Sequence, residues 1–326
     1  MQTKSVYTQN IKKPLISFII TYHNEPLEML QECLQSILSL TLTRDEREII
    51  IVDDGSDESP LEALRDVRND ILYIRQNSQG LSMARNQGID ISKGEFIQFV
   101  DADDFLVISQ YENCLDLVRF NSPDMVLFNS TSTANEKSPF LYSDPVSGAE
   151  YMRHNNLRAS VCGYIFRKSL LLSLRFTKNL THEDEEFTPK LFLRAETVFD
   201  TNANAYFYRI RTDSIMHRRD ETWIRKRLAD QEKIIRELYL HSELLTSGDR
   251  LALQRRVIQL TMDYIYNIIV LTHDKECLNE AIDKLSRLGL FPLPDKDYTR
   301  KYKIFRKLAN NKLGRDVLMI LLKGKS

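Results

Sequence analysis

The sequence predicts an α/β fold, a mostly parallel sheet flanked by helices, followed by an all-helical extension. Over the first hundred residues, short apolar β-rich runs alternate with segments of helical period, and from about Thr222 onward only the helical period remains. Three of the four early runs end in polar clusters, Thr21 to Asn24, Asp53 to Ser56 and Asp101 to Asp104. In open parallel sheets ligands bind outside the carboxyl ends of the strands, so these clusters are expected to converge on one crevice.

Leu15 to Ile20 is continuously apolar, as a strand buried on both faces requires. Asn24-Glu25-Pro26 reads as a helix start with a capping Asn, and Leu27, Leu30, Leu34, Ile37 and Leu38 form the stripe behind it. A second strand, Glu48 to Val52, runs into Asp53-Asp54-Gly55-Ser56. Ser59-Pro60 opens a helix striped by Leu61, Leu64 and Val67, and Ile71 to Ile74 is a third strand. Asn77 to Gly80 leads into a helix over Leu81 to Ser92, and Phe96 to Val100 is a fourth strand. Further on, Met125 to Asn129 reads as a strand and Ser130 to Ser147 as loop. Val161 to Leu174 mixes strand and helix, Glu183 to Ala195 is helical, and Thr197 to Arg209 returns to the sheet. Helices follow over Trp223 to Leu245, Arg250 to Leu271 and Glu276 to Leu288, which sets two regions, 1–220 and 221–326.

Composition bounds the function. A content of 42% hydrophobic and 28% charged residues is that of a globular protein, and a net charge of −1 offers no field for nucleic acid. Cys33, Cys114, Cys162 and Cys277 lie far apart, without metal-ligand spacing, which favours core thiols in a reducing, cytoplasmic compartment. Neither a signal peptide nor a membrane span is expected.

Asp101-Ala102-Asp103-Asp104 is the sharpest chemical feature. Carboxylates crowded at a strand end repel unless a cation neutralises them, and alternate residues can present oxygens to a hard divalent ion that also holds phosphates. The competing reading is an acidic turn, with Asp104 capping the next helix. Asp53-Asp54-Gly55-Ser56 can accept hydrogen bonds from a base or ribose, or be plain turn chemistry. Gly80 to Asn86 places Arg85 one turn into a helix, where a diphosphate or base would sit, or on an exposed helix face. His182-Glu183-Asp184-Glu185-Glu186 offers a general base for an acceptor hydroxyl, or a solvated helix start. Tyr206 to Met216, followed by His217, offers phosphate-contacting Arg and a further metal ligand, or an aromatic-anchored surface loop.

As a set, Ile19 to Glu25, Ile50 to Ser56, Gly80 to Gly88, Phe99 to Asp104 and His182 to Asp184 resemble the family 2 inverting glycosyltransferases of GT-A fold, especially bacterial enzymes of capsule, lipopolysaccharide and exopolysaccharide assembly. Order and spacing carry the resemblance over roughly 210 residues; each motif alone is weak. It implies transfer of a sugar from a nucleotide-diphosphate donor to an acceptor hydroxyl. Asp53 resembles the residue that binds the base, usually uracil, with Thr21 on the same strand end. Arg85 resembles the arginine near the nucleotide. Asp101 and Asp103 match the D-x-D pair, Asp103 toward Mg²⁺ or Mn²⁺ and Asp101 toward ribose or sugar. Asp184 matches the catalytic aspartate, with Glu183 as its neighbour. Where the family often has Tyr directly before Asn-Glu this chain has His23, so His23 and Glu25 become the donor-side candidates and base stacking is expected to differ.

The helical region lies outside the resemblance. From Tyr298, Lys and Arg interleave with apolar residues, a pattern suited to an anionic membrane surface near a lipid-linked or surface-polysaccharide acceptor, or to a docked or homodimeric helix. Two rival classes remain. A nucleotidyltransferase would need a Gly-rich basic loop after the first strand, which Thr21 to Pro26 is not. A catalytically inactive sugar-nucleotide-binding scaffold would be expected to have lost Asp101, Asp103 or Asp184, which are present.

Overall fold

The computed structural model describes residues 13–133, 139–210 and 220–323. Strand β1 (Ile16–Tyr22) is followed by α1 (Leu27–Leu38), β2 (Arg47–Asp53), β3 (Ile71–Arg75), α2 (Leu81–Ile91) and β4 (Phe96–Asp101). Then come β5 (Phe105–Leu106), α3 (Ile108–Asn121), β6 (Met125–Leu127), β7 (Ser130–Thr131), α4 (Gly148–His154), β8 (Tyr164–Arg167), α5 (Glu183–Phe192), β9 (Val198–Asp200) and β10 (Tyr206–Phe207). Five helices close the chain: α6 (Glu221–Glu243), α7 (Ser247–Thr272), α8 (Lys275–Arg287), α9 (Arg300–Ala309) and α10 (Lys312–Leu321).

The main sheet has the order β3-β2-β1-β4-β8-β6-β9, and only β8 runs against the rest. The fold is therefore α/β, mostly parallel, with an all-helical C-terminal region. β1 lies at the centre of its four-stranded half and every one of its residues is buried, as its unbroken apolar run demands. Helix α2 lies close on that strand because Gly88 has no side chain. A Cβ there would sit 2.3 Å from Ile19 Cγ2, so a larger residue would push the helix off the sheet. A smaller sheet, β5-β10-β7, follows the carboxyl end of β4.

Several local expectations are corrected. Asn24 does not cap α1. It takes a left-handed conformation, and its side chain ties to Asp57, accepting from the Asp57 N–H at 2.8 Å. The helix expected after Ser59-Pro60 is two short 3-10 turns, Pro60–Glu62 and Arg65–Val67. Val161 to Leu174 holds 3-10 turns around β8 instead of an α-helix, and the loop after Ser130 opens on β7. Helix α3 starts at Ile108 with Val107 at its N-cap, and Asp104 does not cap it.

The chain forms two compact units. One comprises residues up to Pro145, Val161–Lys178 and Thr197–Arg209; the other comprises Val146–Ser160, Asn179–Glu196 and the chain from Ile210 onward. The second unit has its own apolar core, in which Ile235, Leu238, Leu253, Val257, Ile265 and Leu285 of α6 to α8 are buried together. Among the described residues no helix is long and apolar enough to cross a membrane.

Candidate active site

Strand register builds the site's floor. Tyr22 pairs with Asp53, Asp53 with Arg75 and Thr21 with Asp101, so the carboxyl ends of β1 to β4 terminate along one edge. Every polar cluster singled out in the first hundred residues lies there. Thr21 and Tyr22 are buried at that edge. His23 lies just beyond, with Nδ1 3.0 Å from the Asp54 carbonyl and its N–H donating to Glu25 Oε2 at 2.5 Å.

Asp53 and Asp54 are both buried but work differently. Asp53 Oδ1 accepts from the Ser56 N–H at 2.8 Å, and Oδ2 accepts from the Tyr73 hydroxyl at 2.5 Å, with Arg75 Nε 3.6 Å away. Burial pushes its pKa up, but the bonds from Tyr73 and Ser56 outweigh burial and hold it below the usual carboxylate value. Asp54 instead organises the next loop. Its oxygens accept from Gln76 Nε2 at 2.7 Å and from the N–H groups of Gln79 at 2.8 Å and Gly80 at 2.7 Å, which fixes where α2 begins. Gly55, at φ +77°, makes the turn between these loops, and a Cβ there would meet Ser78 N at 2.7 Å.

The acidic tetrapeptide is split by a turn at the end of β4, closed by the Asp104 N–H donating to the Asp101 carbonyl at 3.1 Å. Asp101 and Asp103 are half-exposed, whereas Ala102 and Asp104 are buried. Arg85, buried on α2, reaches Asp101 Oδ1 at 3.1 Å, with its guanidinium 5.8 Å from the Phe99 ring and 5.5 Å from the Phe176 ring. Its neighbour Asn86 is structural: it donates to the Phe176 carbonyl at 2.9 Å and accepts from the Phe176 N–H at 2.8 Å. Asp104 points inward, accepting from the Tyr206 hydroxyl and the Arg209 N–H, both at 2.8 Å. The Tyr206 hydroxyl also accepts from the Asp101 N–H at 3.1 Å, and Arg209 Nε donates to the Asp103 carbonyl at 2.9 Å. Burial, then the charge of Asp101, pushes Asp104 up to about 7 against these bonds. Glu25 is likewise raised, by burial first and then by Asp103 and Asp101, with its hydrogen bonds to backbone N–H groups pulling the other way. Glu25, Asp101 and Asp103 thus share one negative field.

In the second unit, Asp184 is half-exposed in the first turn of α5. Glu183 and Glu186 beside it are buried, Glu186 pairs with Lys190 at 2.5 Å, and Glu185 pairs with Arg256 of α7. Arg256 is buried, also donates to the Leu157 carbonyl at 2.9 Å, and lies within the electrostatic reach of Asp263 and Asp184. His217 falls outside the described residues.

Comparison with known proteins decides the family. The model of glycosyl transferase family 2 matches residues 17–171, a span that holds β1 from Ser17 onward, all of β2 to β4 and the edge just described. Residues 17–171 form a glycosyl transferase family 2 domain. Two pneumococcal relatives (Streptococcus pneumoniae serotype 4) are the glycosyltransferases GlyA, 28% identical over 229 residues, and GlyG, 27% identical over 301. These alignments take in 64% of this chain for GlyA and 85% for GlyG. The chain spans about a third (32%) of GlyA's length and 96% of GlyG's. Among solved structures, S. aureus TarS 1-349 in complex with UDP-GlcNAc superposes with a TM-score of 0.59 over 92% of each chain, at 18% identity, a likeness of fold.

Within the family 2 domain the sequence located Thr21, His23, Glu25, Asp53, Arg85, Asp101 and Asp103, and the structure brings all seven to the one edge. It did not single out Tyr73, Tyr206 or Arg209 as partners of those aspartates, although Tyr206 and Arg209 stood in a segment already flagged. Among the described residues no three His, Cys, Asp or Glu form a ready metal cage. That is compatible with a divalent ion held by one or two carboxylates and completed by the phosphates of a ligand.

Proposed function

We propose that the chain is an inverting glycosyltransferase that moves a sugar from a nucleotide-diphosphate donor, in the first instance a UDP-sugar, to the hydroxyl of a lipid-linked or surface-polysaccharide glycan. The observation that carries this reading is the aligned edge of β1 to β4, where a buried carboxylate (Asp53) and an outward acidic pair (Asp101 and Asp103) flank the end of β1 from its two sides. GlyG, similar over nearly its whole length, and TarS, crystallised with UDP-GlcNAc, support the choice of reaction and donor class.

Asp53, Thr21 and His23 receive the base and ribose. Tyr73 and Ser56 keep the Asp53 carboxylate ionised, so it accepts from a donor N–H or O–H. Arg85 holds Asp101 in place and offers positive charge toward the diphosphate. Asp103, with Glu25 adding to the negative field, is the ligand for Mg²⁺ or Mn²⁺, and His217 is a further candidate ligand. Bound there, a divalent ion would neutralise the charge growing on the leaving nucleotide diphosphate. Asp184 takes the proton of the acceptor hydroxyl as that oxygen attacks the anomeric carbon from the face opposite the leaving group. The C–O bond to the diphosphate breaks as the new glycosidic bond forms, so an α-linked donor yields a β-linked product.

The test is a donor screen with UDP-, GDP- and dTDP-sugars, reading nucleotide release and thermal shift with Mn²⁺ or with EDTA. Metal-dependent release or stabilisation by one sugar nucleotide is expected. A folded protein that binds a sugar nucleotide but never turns it over, with any acceptor extract, would make the chain a sugar-nucleotide-binding scaffold instead.

A further inference from the structure

The last two helices leave a surface that the transferase reading does not use. Helix α10 docks on the second unit's core through Leu318, with Met319 and Leu322 partly buried against it. Its other face is apolar and open. Leu313 is 75% exposed, Val317 43%, Ile320 74% and Leu321 62%, an i, i+4, i+7, i+8 stripe along one side of the helix. Helix α9 docks through Phe305, Leu308 and Ala309, and its outward face carries Arg300, Lys303 and Lys307 around the exposed Ile304.

Charge is concentrated in the same stretch. Between Arg300 and Lys323 there are eight basic residues and one acidic residue, Asp316, in a chain whose net charge is −1. Asp316 is paired with Lys275, and Asp295 and Asp297 pair with Arg306 and Lys303. Arg300, Lys301, Lys307, Lys312 and Lys323 are exposed and in no ion pair among the described residues.

We propose that α9 and α10 form a docking surface for an anionic lipid bilayer, with the α10 stripe buried at the headgroup boundary and the lysines and arginines against the phosphates. Ten residues are too few to cross a bilayer, so the helix lies on it. A second copy fits less well. Two-fold pairing sets a patch against itself, which would bring the two cationic segments together. The stripe is also one helix wide, far short of the roughly 800 Å² per partner of a stable interface. The inference goes beyond the transferase reading and does not depend on it.

Vesicle co-sedimentation of the full chain tests it, comparing neutral phosphatidylcholine with phosphatidylcholine carrying about 30% phosphatidylglycerol. Two variants, I320S/L321S and K307E/K312E, alter only exposed side chains, so their melting temperatures should match the parent. The expected result is binding to anionic vesicles at least about tenfold tighter than to neutral ones, lost near 0.5 M NaCl and weakened about tenfold in either variant. Equal binding to both vesicle types, no binding by the parent, or unchanged binding by both variants would overturn the proposal. So would light scattering showing a parent dimer that I320S/L321S converts to monomer. Nucleotide release, measured in parallel without vesicles, keeps failure here separate from failure of the transferase reading.

Discussion

Two acidic runs in this chain have nearly the same composition and opposite construction. Asp101 ends β4 and Ala102-Asp103 is a turn closed by the Asp104 N–H donating to the Asp101 carbonyl at 3.1 Å, which leaves Asp101 and Asp103 half-exposed and turns Asp104 in to Tyr206 and Arg209. Glu183-Asp184-Glu185-Glu186 opens a helix, where neighbours three apart share a face. Glu183 and Glu186 are buried together, and Asp184 and Glu185 are left toward the outside. The local backbone, a turn in one run and a helix in the other, decides which acids can meet a ligand and which serve the fold. Each run is therefore internally controlled, because adjacent carboxylates should fail in different ways.

The largest expected effect is in the helical run. D184N should lower kcat by about 10²- to 10⁴-fold while leaving donor binding intact, since it removes a base and not a donor contact. E186Q, next on the buried face and paired with Lys190, should stay within a few-fold of the parent in kcat. Steady-state nucleotide release and donor thermal shift read both. Equal loss in the two variants would mean that α5 position, and not the Asp184 carboxylate, is what matters.

In the strand run, D103N should lower kcat by about 10²- to 10³-fold, comparable to losing one preorganised charge contact. EDTA should have a similar effect on the parent and little further effect on D103N. A metal titration of both proteins checks this. A parent that is fully active in EDTA would remove Asp103 from the ligand role and leave the edge as a metal-free donor site.

A smaller effect, on stability, is expected at Arg256. Burial pushes its pKa down to about 10, with Asp263 and Asp184 opposing, so it remains charged at neutral pH and pairs with Glu185. R256M leaves Glu185 unpaired but partly exposed, where water can recover some of the loss. The expected cost is therefore about 2 kcal/mol, below the range for a fully buried pair, read by urea denaturation. If kcat falls in R256M while stability holds, Arg256 is acting on Asp184 and not only on Glu185.

What was legible beforehand follows from the range of the forces involved. The β1 to β4 alternation, the α2 start and the carboxyl-end clusters are set by local period and turn chemistry, and they stand at the expected residues. Asn24 carries a capping pattern that looks the same whichever group it bonds, and its actual partner, the Asp57 loop, is more than thirty residues away. The turns after Ser59 carry a helical stripe too short to sustain a helix. Helix α3 went undelimited because its buried face includes Gln110 alongside Tyr111, Cys114 and Leu115, which blurs the apolar period. Tyr73 escaped notice because a single tyrosine in a strand carries no motif, although its hydroxyl sets the state of Asp53.

Asp104 is the sharpest instance, and its substitution is the finest test of the division between inward and outward acids. Its two partners lie more than a hundred residues further along, at Tyr206 and Arg209, so nothing local distinguishes it from Asp103. In D104N the amide oxygen can keep one acceptor contact while the amide group faces the other donor. The expected loss is thus about 1 kcal/mol, near that of a single hydrogen bond, read as a lower urea midpoint with unchanged slope. Turnover should remain within about threefold, because Asp101 and Asp103 keep their outward positions while Arg209 still holds the Asp103 carbonyl. A D104N protein as stable as the parent but as slow as D103N would mean that the inward acid works with the outward pair, and the division made by the turn would fail at that residue.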